Sequence, residues 1–104
     1  MNQRLPNKKS FRSLLAQVAP MNAQSIMRRA RLANSLAKTT NGRARRAAYN
    51  VKTDALVALT KGFPNRVSLQ YDLRLPQMIV VRDAADGFAL HAPAHRFTSQ
   101  EAKR

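Results

Sequence analysis

The sequence predicts an α+β fold, in which N-terminal helices, including an antiparallel helical hairpin, precede a three-stranded antiparallel β-meander. Apolar residues recur at helical spacing as far as Gly62, whereas beyond Pro64 they alternate with polar residues, as in strands with one buried face. The chain has 104 residues, 44% of them apolar, which is enough for one small domain. We expect a flexible basic arm at 1–10, a single α+β domain at 11–97 and a polar tail at 98–104.

Two helical segments are predicted in the N-terminal part of the chain. In Phe11–Ala19, apolar residues recur at i, i+3, i+4 and i+7, and Pro20 ends the segment. A second helix begins after an N-cap at Asn22 or Ser25 and reaches about Lys38. Its predicted core stripe is made of small side chains flanked by two leucines: Ile26, Ala30, Ala33 and Ala37, with Leu32 and Leu36 beside them.

A third helix is predicted from about Arg43 to Lys61 and is closed by Gly62. The Asn41-Gly42 pair before it favours a backbone with positive φ, so it separates the second helix from the third. Because this connection is short, the two helices should pack as an antiparallel hairpin. The predicted buried stripe of the third helix is Ala44, Ala48, Val51, Ala55, Ala58 and Leu59.

Three strands are predicted after the helices. Val67–Leu75 alternates apolar and polar residues, and Met78–Arg82 begins with four consecutive apolar residues, which is consistent with cover on both faces. The turn Asp83–Gly87, whose glycine suits a left-handed position, leads into Phe88–His91, and Pro93 ends that strand. The buried face of the first strand is predicted to carry Val67, Leu69, Tyr71, Leu73 and Leu75.

The charge of the chain is extreme and unevenly distributed. Nineteen Lys and Arg against five Asp and Glu give a net charge of +14, and Arg outnumbers Lys thirteen to six. Twelve basic residues precede the first acid, Asp54, so that residues 1–66 carry a net +13 and residues 67–104 only +1. Because guanidinium groups bind phosphate through two hydrogen bonds and stack on bases, this pattern indicates a nucleic acid as partner.

The predicted nucleic-acid interface consists of two arginine clusters near opposite ends of the helical hairpin, together with basic residues of the N-terminal arm. Contact with DNA or RNA should be made mainly to phosphates, with little sequence specificity, because no helix-turn-helix spacing and no pair of strand aromatics is present. The predicted contact residues are Arg28, Arg29, Arg31, Lys38, Arg43, Arg45, Arg46, Lys8, Lys9 and Arg12.

Several classes of chemistry find no support in the sequence. Cysteine is absent, and no apolar run approaches the ~18 residues of a membrane span. His91 and His95 flank Pro93 and therefore cannot share a helical face as metal ligands. Asp83 and Asp86 suit the local hydrogen bonds of a turn. We therefore expect no catalytic residue, no metal, no cofactor and no membrane contact, while the oligomeric state stays open.

The leading hypothesis is a small, non-enzymatic accessory protein that binds nucleic acid in the cytoplasm, associated with the nucleoid or with a ribonucleoprotein, of the kind that phages and plasmids encode. A first alternative is an inhibitor or adaptor that docks on a host protein–nucleic-acid machine and occupies its nucleic-acid path. A second alternative is a ribonuclease-type toxin.

The second alternative rests on a resemblance over Arg43–Phe97. A basic helical hairpin, an antiparallel meander and an end containing Arg and His, His91–Phe97, resemble the layout of bacterial ribosome-dependent mRNA interferase toxins and their gyrase-poisoning relatives. The N-terminal strand usual in those toxins is replaced here by the helical pattern Phe11–Ala19. The resemblance implies His91 and His95 as acid–base groups and an arginine, Arg82 or Arg96, as phosphate-binding group.

Overall fold

The structure, a computed structural model, describes residues 22–97, which form two helices followed by a three-stranded antiparallel sheet. The predicted α+β class, with a helical hairpin before a β-meander, is confirmed. The basic arm, the helix predicted at Phe11–Ala19 and the polar tail all lie outside the described residues. The elements are α1 (Ala23–Thr39), α2 (Gly42–Gly62), β1 (Val67–Asp72), β2 (Leu75–Asp83) and β3 (Ala89–Pro93), with single 3-10 turns at Pro64–Arg66 and Ala94–Arg96.

Helix α1 begins and ends where its sequence signals place it. The Asn22 Oδ1 atom accepts the backbone N–H of Ser25 at 2.8 Å, so the first of the two predicted N-caps is the one used. At the other end, the Thr39 and Thr40 hydroxyls both donate to the Leu36 carbonyl. The four residues of the predicted core stripe, Ile26, Ala30, Ala33 and Ala37, are buried together with Met27, whereas the flanking Leu32 and Leu36 are exposed.

The stripe predicted for α2 was only partly correct: Ala55 and Leu59 are buried as predicted, but the buried face is rotated away from the other members. Ala44, Val51 and Ala58 are exposed, whereas the side chains that point inward are Lys52, Thr53, Ala55, Leu56, Leu59 and Thr60. Turning Leu56 and Leu59 inward removes more apolar surface from water than burying alanines would. Thr60 tolerates burial because its hydroxyl donates to the Leu56 carbonyl at 2.9 Å.

The sheet packs one face against the helices. β2 lies between β1 and β3, and the register pairs Leu69 with Val81 and Val81 with Leu90 in a single buried row. The next row pairs Tyr71 with Ile79 and continues to Ala92. These rows meet the inward side chains of both helices and Phe97 in one core. The prediction that β2 is covered on both faces was wrong, since only its alternate residues Ile79 and Val81 are fully buried.

The β1–β2 turn departs from the predicted alternation. Leu73 and Leu75, predicted on the buried face, are 95% and 50% exposed. An irregularity between Tyr71 and Asp72 breaks the pairing of β1 with β2, and a bulge of this kind changes the face to which later side chains point. Pro76 is tolerated within β2 because pairing with β3 begins only at Met78.

The β2–β3 turn follows its prediction closely. Gly87 has a φ of +79°, in the left-handed region, and its N–H donates to the Asp83 carbonyl. β3 begins one residue later than predicted, so Phe88 lies outside the strand, and its last residue is Pro93. Neither helix within residues 22–97 is long and apolar enough to cross a bilayer.

Candidate nucleic-acid interface

The connection between α1 and α2 forms a basic end of the hairpin. Lys38 lies in the last turn of α1, Arg43 and Arg46 lie at the start of α2, and all three side chains are exposed. The first turn of α2 has no acidic residue, and the Asn41 side chain does not cap it. The backbone at Gly42 has a φ of +56°, and a Cβ atom added there would meet no atom within 4 Å. The positive end of a helix dipole therefore adjoins three exposed cations.

Arg45, which was predicted to contact nucleic acid with these residues, also makes hydrogen bonds within the fold. Its Nε donates to the carbonyls of Ala37 and Thr40 at 3.0 and 2.9 Å. Both acceptors belong to the end of α1, where backbone carbonyls lack partners within the helix. Arg45 therefore closes the C-terminus of α1 and fixes the connection between the two helices.

Arg28 and Arg29 form the second predicted cluster, on the exposed side of α1. Neither side chain makes an ion pair with any residue between 22 and 97. Arg28 and Lys38 are ten residues apart on one helix, which corresponds to about 15 Å along its axis. The two basic clusters thus lie at separate levels of the hairpin.

Arg31, which was predicted to contact nucleic acid with Arg28 and Arg29, differs from both because it forms ion pairs within the fold. Its Nη2 donates to Asp83 at 3.1 Å and to Asp86 at 2.7 Å. The guanidinium also lies over the Phe88 ring, 4.4 Å from the centroid. Two carboxylates neutralise this arginine, so its charge ties α1 to the β2–β3 turn.

Asp83 is the centre of this ion-pair network. It is only 3% exposed and also accepts Arg66 Nε at 2.8 Å and the backbone N–H of Ala85. The hydrogen bond from Arg66 is the largest cause that lowers the pKa of Asp83, and the same bond raises the pKa of Arg66. A hydrogen bond from Arg31 likewise lowers the pKa of Asp86. The role of Arg66 was not predictable from the sequence, since no local signal pairs it with an acid 17 residues away.

Lys52 is a buried cation of α2 without a carboxylate partner among residues 22–97. Its Nζ donates to Asn34 Oδ1 at 3.3 Å and lies 4.9 Å from the centre of the Tyr49 ring. Burial lowers the pKa of Lys52, and repulsion from Lys38 lowers it further. The amine is therefore held inside the hairpin by one amide oxygen and one aromatic face.

The outer face of the sheet holds a contact that the sequence analysis did not anticipate. Asp72 Oδ2 lies 3.4 Å from His91 Nε2, so one of the two histidines has a carboxylate neighbour. The backbone N–H of Arg74 is the largest cause that lowers the pKa of Asp72, and the contact with His91 acts in the same direction. Arg74 and Arg82 line the same shallow hollow of about 470 Å³.

The resemblance to interferase toxins rests on the order of a hairpin and a meander. No protein-family model matches the chain, and no curated protein or solved structure is significantly similar to it. The function therefore has to be argued from the geometry and charge of the site, because a shared layout alone does not carry an activity.

The structure brings part of the predicted interface together. Lys38, Arg43 and Arg46 meet at one end of the hairpin, and Arg28 and Arg29 lie on the exposed side of the same unit. Arg31 and Arg45 are instead engaged within the fold. Lys8, Lys9 and Arg12 lie outside the described residues. Among residues 22–97, no group of three His, Cys, Asp or Glu side chains could hold a metal ion.

Proposed function

We propose that this protein is a non-enzymatic accessory protein that binds the phosphate backbone of DNA or RNA. The primary contact surface, here called the basic end, consists of Lys38, Arg43 and Arg46. Arg28 and Arg29 extend it along α1. Binding is largely independent of sequence, because arginine and lysine contacts to phosphates carry no base information.

The observation that carries this proposal is the unbalanced charge at the start of α2. Positive residues in the first turn of a helix oppose its dipole, and here no acid and no side-chain cap offsets them. Without a bound ligand, this arrangement does not stabilise the folded protein. A bound phosphate would accept hydrogen bonds from the free backbone N–H groups and offset the repulsion among the arginines.

The proposal predicts a steep salt dependence. Each phosphate that is neutralised releases counterions, so with six to ten contacts the affinity for duplex DNA or structured RNA should fall roughly 10³-fold or more between 50 and 200 mM salt. Fluorescence anisotropy with labelled duplexes of two unrelated sequences measures this slope and the sequence preference together. A flat salt response contradicts phosphate binding, and tight binding to a host protein that survives nuclease treatment favours the adaptor alternative instead.

One observation favours a second candidate function, cleavage of RNA at the outer face of the sheet. Asp72 contacts His91 beside two exposed arginines in the same hollow, and a histidine, a carboxylate and a guanidinium are groups that can transfer protons and stabilise a phosphate. His95 is exposed on the 3-10 turn after β3 and does not line this hollow.

We expect the His91→Ala variant, alone and with His95→Ala, to bind nucleic acid as the wild type does. The reason is that both histidines lie on the sheet side of the molecule, whereas the basic end lies on the helices. Expression in a bacterial host, with growth curves and mapping of RNA 5′ ends, tests the enzyme alternative. Growth arrest and new RNA ends that depend on His91 would replace the binding function by a ribonuclease.

A further inference from the structure

The side of the helical hairpin that does not face the sheet carries an apolar groove. Leu32 and Leu36 of α1 and Val51 of α2 are 60%, 56% and 43% exposed, and they line this groove together with Ala48. Its volume is about 320 Å³. Ala48 and Val51, two residues of the stripe predicted as the core of α2, line this groove, and no residue between 22 and 97 covers it.

The segment that immediately precedes α1 has the composition to cover this groove. Phe11–Ala19 places Phe11, Leu14, Leu15 and Val18 on one side of a predicted helix. Arg12 is its one charged residue, and only Pro20 and Met21 separate it from the N-cap of α1. Its last residue, Ala19, precedes Ser25, which lines the groove, by six positions in the sequence.

The lengths of the segment and the groove also match. Nine helical residues extend about 13 Å, and the α1 residues between Ser25 and Leu36 extend about 16 Å. A chain that reverses direction at Pro20 and Met21 places Val18 level with Ser25, and Phe11 level with about Leu32. The apolar side chains of the segment would then face the part of the groove between Ser25 and Leu32.

We propose that Phe11–Ala19 folds as a helix antiparallel to α1 and docks in the groove formed by Leu32, Leu36, Ala48 and Val51. A second copy of the chain is a poorer occupant, because dimerisation would bring two surfaces of high positive charge together on chains of net charge +14. The tethered segment is also present at a high effective concentration, since only a short connection separates it from α1.

Docking has a consequence for nucleic-acid binding, and this consequence alone rests on the proposed function. An antiparallel helix carries Arg12 and the residues before it toward the C-terminal end of α1. Lys8 and Lys9 would then lie on the same side of the hairpin as Lys38 and Arg43. The docked segment thereby joins the predicted basic arm to the basic end in one continuous cationic surface.

Site-directed cross-linking tests the docking directly, because the native chain contains no cysteine. A Leu14→Cys/Val51→Cys variant is treated with a short bis-maleimide, and Leu14→Cys/Ser68→Cys is the matched control, since Ser68 is exposed on β1. We expect an intramolecular cross-link in the first variant with a yield roughly ten-fold above the control and independent of protein concentration. Equal yields, or cross-links between chains that increase with concentration, would overturn the proposal.

A second set of variants separates docking from folding and from nucleic-acid binding. Leu32→Asp/Leu36→Asp, introduced into the Leu14→Cys/Val51→Cys chain, should reduce the cross-link to the control level, whereas Ser35→Asp on the exposed side of α1 should not. Circular dichroism verifies that each variant remains folded. A cross-link that persists with both aspartates would refute docking in this groove. Binding to DNA or RNA is measured independently on variants of the basic end, so either proposal can fail alone.

Discussion

Replacing Asp83 with alanine should lower the free energy of unfolding by about 3–5 kcal/mol, because it leaves Arg66 and Arg31 without their shared buried partner. The Asp83 carboxylate joins α1, the 3-10 turn after α2 and the β2–β3 turn at distances between 2.8 and 3.3 Å. Its loss also removes the hydrogen bond that holds the backbone N–H of Ala85. Urea denaturation followed by far-UV circular dichroism measures the change.

The matched control for this variant is Asp86→Ala. Asp86 pairs with Arg31 at a shorter distance than Asp83 does, but its side chain is 53% exposed, so its loss should have a much smaller effect. Equal destabilisation by the two substitutions would contradict the central role of Asp83.

The lowered pKa of the Asp83 carboxylate makes the free energy of unfolding depend on pH. The pKa of Asp83 is lowered in the folded protein, so the folded state favours the ionised form and Asp83 stabilises the fold fully above about pH 4, the ordinary value for the group. This contribution is lost as the pH falls through the lowered pKa. The wild type should therefore lose stability between neutral and acidic pH more steeply than Asp83→Ala does. Parallel pH profiles for the two proteins would be inconsistent with this assignment.

The double substitution Arg43→Glu/Arg46→Glu should reduce affinity for nucleic acid by about 10²-fold or more at low salt, since it replaces two phosphate contacts by two repulsive charges. It should leave the fold intact or raise its melting temperature, because acids in the first turn of a helix interact favourably with the dipole. Loss of binding together with retained stability is a combination that simple unfolding cannot produce.

Arg74→Glu/Arg82→Glu is the control with the same change in net charge. Both arginines are exposed and belong to the sheet half of the fold. We expect a modest loss of affinity from the weaker long-range field and the same salt slope as the wild type. If this control loses binding and the helical variant retains it, the outer face of the sheet is the interface.

Arg31 is unsuitable for charge reversal, because a glutamate there would face Asp83 and Asp86.

Element order and element ends were predictable because their signals are local. Asn22 caps the turn that follows it, and Gly87 accepts a left-handed backbone that few other residues adopt. The buried face of α2 was not predictable from periodicity. Two apolar arcs exist on that helix, and the sheet selects the one that contains Leu56 and Leu59. The other arc lines the uncovered groove.

The candidate interface was predictable as a region but not residue by residue. A count of charges treats every arginine alike, whereas the partners of Arg31 lie 52 and 55 residues away in sequence. Arg45 donates to two backbone carbonyls that lack partners within the helix because α1 ends there. The contact between Asp72 and His91 depends on the irregular strand pairing after Tyr71, and no local sequence pattern predicts that irregularity.

The order of elements also bears on how the chain folds. α1 packs against α2, and β1, β2 and β3 pair in sequence order, so most contacts join neighbours along the chain. Topologies of low contact order reach the native state quickly, because little loop-closure entropy is lost before contacts form. The ion pair between Arg31 and Asp83 joins residues 52 positions apart, so we expect it to form later in folding than the contacts within the hairpin and within the meander.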